Sequence, residues 1–148
     1  MKNNLYYTPT IEEFHVGFEY EYKPKVGPWV KINYNNWMSP SKGMDLDFCT
    51  EQDLLRKFDI IDQCIKREDV RCKFLDQSDI ESLGWKDCDN IYNTIRWDFN
   101  DYILMFYKKD NRYLIFRDCG PNNIQTVFNG FIKNKSELIK LQQQLDIK

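Results

Sequence analysis

Residues 101–118, DYILMFYKKDNRYLIFRD, decide the fold class. Two runs rich in β-branched and aromatic residues flank Asp110-Asn111, and both turn residues tolerate the positive φ of a tight connection. The stretch predicts an antiparallel hairpin. Upstream, residues 11–23, IEEFHVGFEYEYK, repeat the theme. Phe14, Val16, Phe18, Tyr20 and Tyr22 share one parity, while Glu13, His15, Gly17, Glu19 and Glu21 share the other. Period two predicts a half-buried strand with its rings turned inward. Pro24, Gly27 and Pro28 break it, and WVKINY, residues 29–34, reads as its returning partner.

The rest of the chain alternates helices with further strands. Residues 35–47, NNWMSPSKGMDLD, read as an irregular loop. Thr50 opens a Thr-x-x-Asp cap, and Leu54, Phe58, Ile61 and Ile65 follow at helical spacing, which predicts an amphipathic helix over 51–66. VRCKFL, residues 70–75, is a short strand. In SDIESLGW, residues 78–85, Ser78 and Glu81 form a capping box, Ile80 and Leu83 face inward, and Gly84 takes the left-handed position after the helix. NIYNTIRWDF, residues 90–99, reads as one strand anchored by Ile91, Ile95 and Trp97. IQTVFNGFIK, residues 124–133, is another, with a bulge or bend at Asn129-Gly130. Asn134 and Glu137 cap a closing helix whose apolar stripe is Leu138, Leu141 and Leu145. The order β-β-α-β-α-β-β-β-β-α predicts an α+β fold, with a mainly antiparallel sheet built from hairpins, two longer helices and one short one. With 148 residues and no linker or internal repeat, a single domain spanning 1–148 is expected.

Composition bounds the function. The chain holds ten Phe, nine Tyr and four Trp, so the core is expected to be ring-rich. It holds no alanine, and its wealth of Asn, Lys, Ile, Tyr and Phe points to an AT-rich genome. Twenty-one basic and 23 acidic residues give a net charge of −2, which argues against a dedicated duplex-DNA binder. No apolar run approaches the ~18 residues of a membrane span, and MKNNLYYTPT carries no apolar leader core. The expected location is the cytoplasm of a bacterial host. The five cysteines are odd in number and form no C-x-x-C pair, which fits a reducing compartment and argues against structural zinc.

Three segments carry a resemblance: TPTIEEFHVGFEYEYK (8–23), RCKFLDQSDIESLGWK (71–86) and FNGFIKNKSELIKLQQQL (128–145). Together they resemble a group of short uncharacterised proteins encoded by gut Bacteroidetes and their phages. The resemblance covers about a third of the chain. It implies a cytoplasmic, phage-borne accessory protein, and it carries no activity or catalytic residue with it.

His15 is the chain's one histidine, and with Glu13, Glu19 and Glu21 it invites a metal-dependent hydrolase reading. A strand row fans its side chains in parallel rather than converging them, so the same face equally suits solvent or a partner. A cysteine nucleophile needs a base, and only His15 is at hand. No G-x-S-x-G, P-loop or G-x-G-x-x-G occurs. Lys66, Arg67, Arg71 and Lys73 form one basic group and Lys108, Lys109 and Arg112 another, both interleaved with rings that suit nucleotide stacking. Trp85 and Trp97 read as core or pocket walls, and Trp37, in a loop with Met38 and Met44, as a partner anchor or a flap over the sheet. The leading expectation is a non-enzymatic binding protein acting through protein–protein contacts or self-association, without cofactor, metal, membrane or duplex DNA. Its contacts are placed at Glu13, His15, Glu19, Glu21, Trp37, Arg71, Trp85 and Trp97. The alternatives are a small-ligand or nucleotide binder that stacks a ring on Trp or Tyr with Arg or Lys on phosphate, and the His15 hydrolase.

Overall fold

The computed structural model describes residues 5–15, 17–33, 51–91, 93–121 and 123–148. They form two compact units, Met1–Phe74 and Leu75–Lys148. Both are built from antiparallel strands with helices, so the fold is α+β. Among the described residues no helix is long and apolar enough to cross a membrane.

The first unit holds β1 (Tyr6–Tyr7), a 3₁₀ turn (Ile11–Glu13), β2 (Glu19–Tyr22), β3 (Val30–Asn33), α1 (Glu51–Lys66) and β4 (Val70–Lys73). Its sheet runs β1-β4-β2-β3, antiparallel throughout. The long strand expected from Phe14 to Tyr22 is shorter than its alternation suggests. The Thr10 amide donates to Glu13 Oε1 at 3.2 Å and the Glu13 amide to the Thr10 carbonyl at 3.1 Å, which winds 11–13 into a turn. Gly17 then takes a φ of +88°, a left-handed kink that L-residues rarely adopt, and pairing begins at Glu19. The parity survives the kink: Phe14, Phe18 and Tyr20 are buried with Ile61, Cys64, Val70 and Cys72. The rings of Phe18 and Tyr20 each lie 5.0 Å from that of Phe14, edge-on. In α1 Ile61 and Cys64 are buried and the half-buried Ile65 packs against them, while Phe58, expected inward, is 40% exposed.

The second unit holds α2 (Gln77–Ser82), β5 (Lys86–Ile91), β6 (Thr94–Phe99), β7 (Tyr102–Tyr107), β8 (Arg112–Asp118), β9 (Ile124–Gly130) and α3 (Lys135–Gln144). The five strands form a meander in chain order. The hairpin of 101–118 is as expected, with Asn111 at a φ of +52° in its turn. NIYNTIRWDF is not one strand but the corner of a second hairpin, because β5 ends at Ile91 and β6 starts at Thr94. Asp76, not Ser78, caps α2: its Oδ1 accepts from the Asp79 amide at 2.9 Å, and Ser78 donates to the same oxygen at 2.7 Å. Gly84 sits after α2 at a φ of +93°, and a Cβ there would meet the Phe99 ring at 2.6 Å. The bulge in β9 falls opposite Ile115/Phe116, so that Val127 and Phe128 both pack on the core. Asn134 caps α3 as expected, accepting from the Glu137 amide at 2.9 Å.

One cross-strand row, Trp97–Leu104–Ile115–Phe128, runs through β6 to β9. It packs with Ile80 of α2 and Leu138 of α3. Truncating Leu104 in this row by Leu104→Ala is expected to cost about 2–5 kcal/mol, read as a lower urea midpoint at unchanged slope. Burial, with Asp76 nearby, pushes the Tyr113 phenol from its ordinary 10.0 up to about 12. The folded state therefore holds a proton that the unfolded chain releases near pH 10. This stability contribution is complete below about pH 10 and is lost as pH rises to about 12. Alkaline denaturation of Tyr113→Phe is expected to lack that component.

Candidate functional site

The outward face of the β1-β4-β2-β3 sheet gathers charged and aromatic side chains from all four strands and their flanks. Tyr7, Tyr20, Tyr22, Ile32, Val70 and Cys72 point to the core. Alternation therefore turns Tyr6, Glu19, Glu21, Lys31 and Arg71 the other way. In register, Glu21 stands between Arg71 of β4 and Lys31 of β3.

Arg71 is the centre of this face. Its guanidinium carbon lies 3.8 Å from the Tyr6 ring centroid and 4.2 Å from that of Trp29, within cation–π range of both. Two of its donors converge on one carboxylate oxygen: Nε and Nη2 reach Glu21 Oε2 at 2.7 and 2.6 Å. The other oxygen of Glu21 accepts from the Tyr6 hydroxyl at 3.4 Å. Side-chain exposures of 29% for Arg71 and 24% for Glu21 make this a half-desolvated pair rather than a loose surface contact. A planar guanidinium suits the stack, since an ammonium would offer neither the face nor the fork. Around it, Lys31 pairs diagonally with Glu19 at 2.8 Å, and Lys23 Nζ lies 5.8 Å from the Trp29 ring while donating to the Gly27 carbonyl. Val26, at the tip of the β2–β3 hairpin, is 92% exposed.

The sequence-derived candidates divide. Glu19, Glu21 and Arg71 come together on this face. Glu13 turns to local work, accepting from the Tyr7 hydroxyl at 2.6 Å and from the Thr10 amide. His15 Nδ1 lies 2.8 Å from the Glu13 carbonyl. A carbonyl can only accept, so Nδ1 carries the proton in that contact. Among the described residues no three His, Cys, Asp or Glu side chains gather as a metal-ligand set. Trp85 and Trp97 are each 2% exposed and belong to the core of the second unit. Trp37, with the loop of 35–47 and Cys49, lies outside the described residues. Of the other cysteines, Cys64 and Cys72 are buried, Cys88 is half-buried and Cys119 is exposed. The basic group of 66–73 is largely neutralised in place. Lys66 pairs with Asp62 at 2.6 Å, Arg67 with Asp69 at 3.0 Å and Arg71 with Glu21.

Tyr6 and Trp29 were not singled out from the sequence. Their signal is parity: Trp29 stands two residues before Lys31, just ahead of β3, and Tyr6 faces Lys73 across β1 and β4, on the outward side where a large ring is out of place unless something packs on it. No protein-family model matches the chain, and no curated protein and no solved structure matches it either. The functional reading rests on the geometry of this face.

Arg71→Ala is expected to destabilise the protein by about 1–2 kcal/mol through the lost charged hydrogen bonds and ring contacts. It should also shift Trp29 emission, because Trp85 and Trp97 are shielded in a different core. Arg71→Lys restores the charge without the planar stack and should recover less than half of the loss, as measured by urea titration followed through Trp fluorescence.

Proposed function

We propose that the chain is a non-enzymatic accessory protein that works through protein–protein contacts, with the outward face of the first unit's sheet as its contact surface. One observation carries this reading: Arg71 is held between Tyr6 and Trp29 and clamped by Glu21. Trp, Tyr and Arg are the side chains that dominate interface energetics. Here they are already ordered, so a partner binding them freezes fewer rotamers. The exposed Val26 and the Lys23–Trp29 contact extend the surface towards the hairpin tip.

The small-ligand and nucleotide reading asks Arg71 to meet a phosphate. Its Nε and Nη2 donors already face Glu21, and the inner faces of both rings are covered by the guanidinium. Lys66 and Arg67 likewise face carboxylates of this chain. The hydrolase reading asks His15 to join acids in a cluster, whereas its Nδ1 meets a backbone carbonyl. A protein partner is the class that such a surface, its charges paired within the chain, fits best. A phage-encoded role in the cytoplasm of a gut Bacteroidetes host belongs to the same proposal and rests on the sequence resemblance.

Affinity capture from a host lysate tests the reading. Baits carrying Trp29→Ala or Arg71→Ala are expected to lose, by about thirtyfold, a protein that the unaltered chain retains, equivalent to about 2 kcal/mol. A Lys109→Ala bait, altered at the β7–β8 turn, should retain it. Equal capture by all baits refutes the surface. A thermal shift with nucleotides that Arg71→Ala abolishes refutes the protein-contact reading in favour of its rival.

A further inference from the structure

The five-stranded sheet has a second face. Trp97, Leu104 and Ile115 lie inward against the helices, so alternation turns their neighbours outward. On that outer side Met105 stands opposite Leu114, and Ile103 stands opposite Phe116. Tyr107 joins them, its hydroxyl 3.7 Å from Met105 Sδ. Among the described residues these five belong to neither buried cluster, and each is half-buried. An antiparallel sheet with one wet face alternates apolar and polar residues, whereas a strand covered on both sides reads as a continuous apolar run. The β7 sequence, YILMFY, is of the second kind. The rim is polar. On the β6 side Arg96 donates to Asp98 at 2.8 and 3.0 Å. On the β9 side Asn129 and Thr126 stand opposite Leu114 and Phe116. An apolar centre ringed by polar groups is the anatomy of a protein interface.

We propose that this face is a self-association surface, packed sheet to sheet against the same face of a second copy of the chain. Three observations choose that occupant. The first is charge. Arg96 and Asp98 satisfy one another, and β9, IQTVFNG, has no ionisable side chain. Lys86, opposite Asp98, and Arg112 and Asp118, at the two ends of β8, stand at the margin of the face. The apolar centre therefore meets its own copy without like-charge repulsion. The second is shape. A twisted sheet face is matched by another sheet of the same hand, stacked about 10 Å away at about −30°, and the copy supplies one. The third is size. Five strands about 4.8 Å apart and about six residues long span roughly 24 by 20 Å. Such a footprint, about 480 Å² in plan, is smaller than the ~800 Å² per partner of standard stable complexes and suits a weak pairing that forms at high concentration. The pairing is isologous, the commonest symmetry of homo-oligomers. This inference is independent of the Arg71 surface, which lies in the other unit and uses other side chains.

Light scattering on the full chain, from micromolar to millimolar concentration, tests the proposal. The expected mass approaches twice the 18.0 kDa of one chain at the upper end and falls to one chain on dilution. Leu114→Lys is expected to stay a single chain throughout with an unchanged far-ultraviolet circular dichroism spectrum, and Lys140→Ala, at an exposed position of α3, to associate like the unaltered protein. Hydroxyl-radical oxidation of Met105 in the unaltered chain is expected to fall several-fold across the same concentration range, a reading that needs no variant and decides the matter if Leu114→Lys fails to fold. A single-chain mass at every concentration, an association that survives Leu114→Lys, or Met105 oxidation that ignores concentration overturns the proposal. So does a chain that stays single by itself and binds a different protein through Leu114.

Discussion

The row Trp97–Leu104–Ile115–Phe128 is the constraint on which the second unit depends. Four strands must hold register for these side chains to stack into one ridge, and both helices of the unit find their footing on it through Ile80 and Leu138. A one-residue slip would exchange this ridge for its neighbours. In most half-wet sheets that exchange is forbidden by polarity. Here β7 is apolar on both sides, so polarity alone does not forbid it. Register is favoured instead by β6, where Arg96 and Asp98 flank Trp97 and close on each other outside, and by the short connection of 108–111, which ends on the left-handed Asn111. The same Arg96 guanidinium holds the Asp98 carboxyl below the usual carboxylate range, aided by the Cys88 thiol and opposed by partial burial. The pair thus stays ionised, and outward, in mildly acidic conditions.

The first unit solves the same problem with fewer strands. Its sheet sets rings on both sides for different reasons. Phe14, Phe18 and Tyr20 fill a core against Ile61 and Cys64. Tyr6 and Trp29 lie outside and would be poorly solvated alone. The Arg71 guanidinium between them converts two exposed rings into one ordered stack, and Glu21 keeps the cation in place. Glu21 and Arg71 lie 50 residues apart in the chain, joined only because β2 and β4 are neighbours in the sheet. A surface of this kind belongs to the topology more than to any one segment.

That difference explains what was legible in the sequence. Features set by neighbours along the chain could be read. The α1 span follows from helical spacing, the β7–β8 hairpin from its turn residues, and the α3 cap from Asn134 and Glu137. Features that depend on competition between near-equal local choices could not. Asp76 and Ser78 are both good caps two residues apart, and Asp76 wins because Ser78 can donate to it. The alternation of 11–22 is genuine, but a turn closed by Thr10 and Glu13 consumes its first half. Between the end of β5 at Ile91 and the start of β6 at Thr94 the sequence carries no glycine or proline to announce two strands. β1 is two residues long and exists only because β4 accepts it. Of the site, Glu19 and Glu21 were legible as outward charges and Arg71 as one of a basic group with rings beside it. Their convergence, and the part played by Tyr6 and Trp29, required knowledge of strand order.

The two indoles in the second core have a consequence of their own. Trp85 and Trp97 bury their N–H groups, and neither finds an acceptor among the described residues. Each indole therefore holds its place in this core by the volume it fills, and a smaller ring at either position opens a void among the buried side chains.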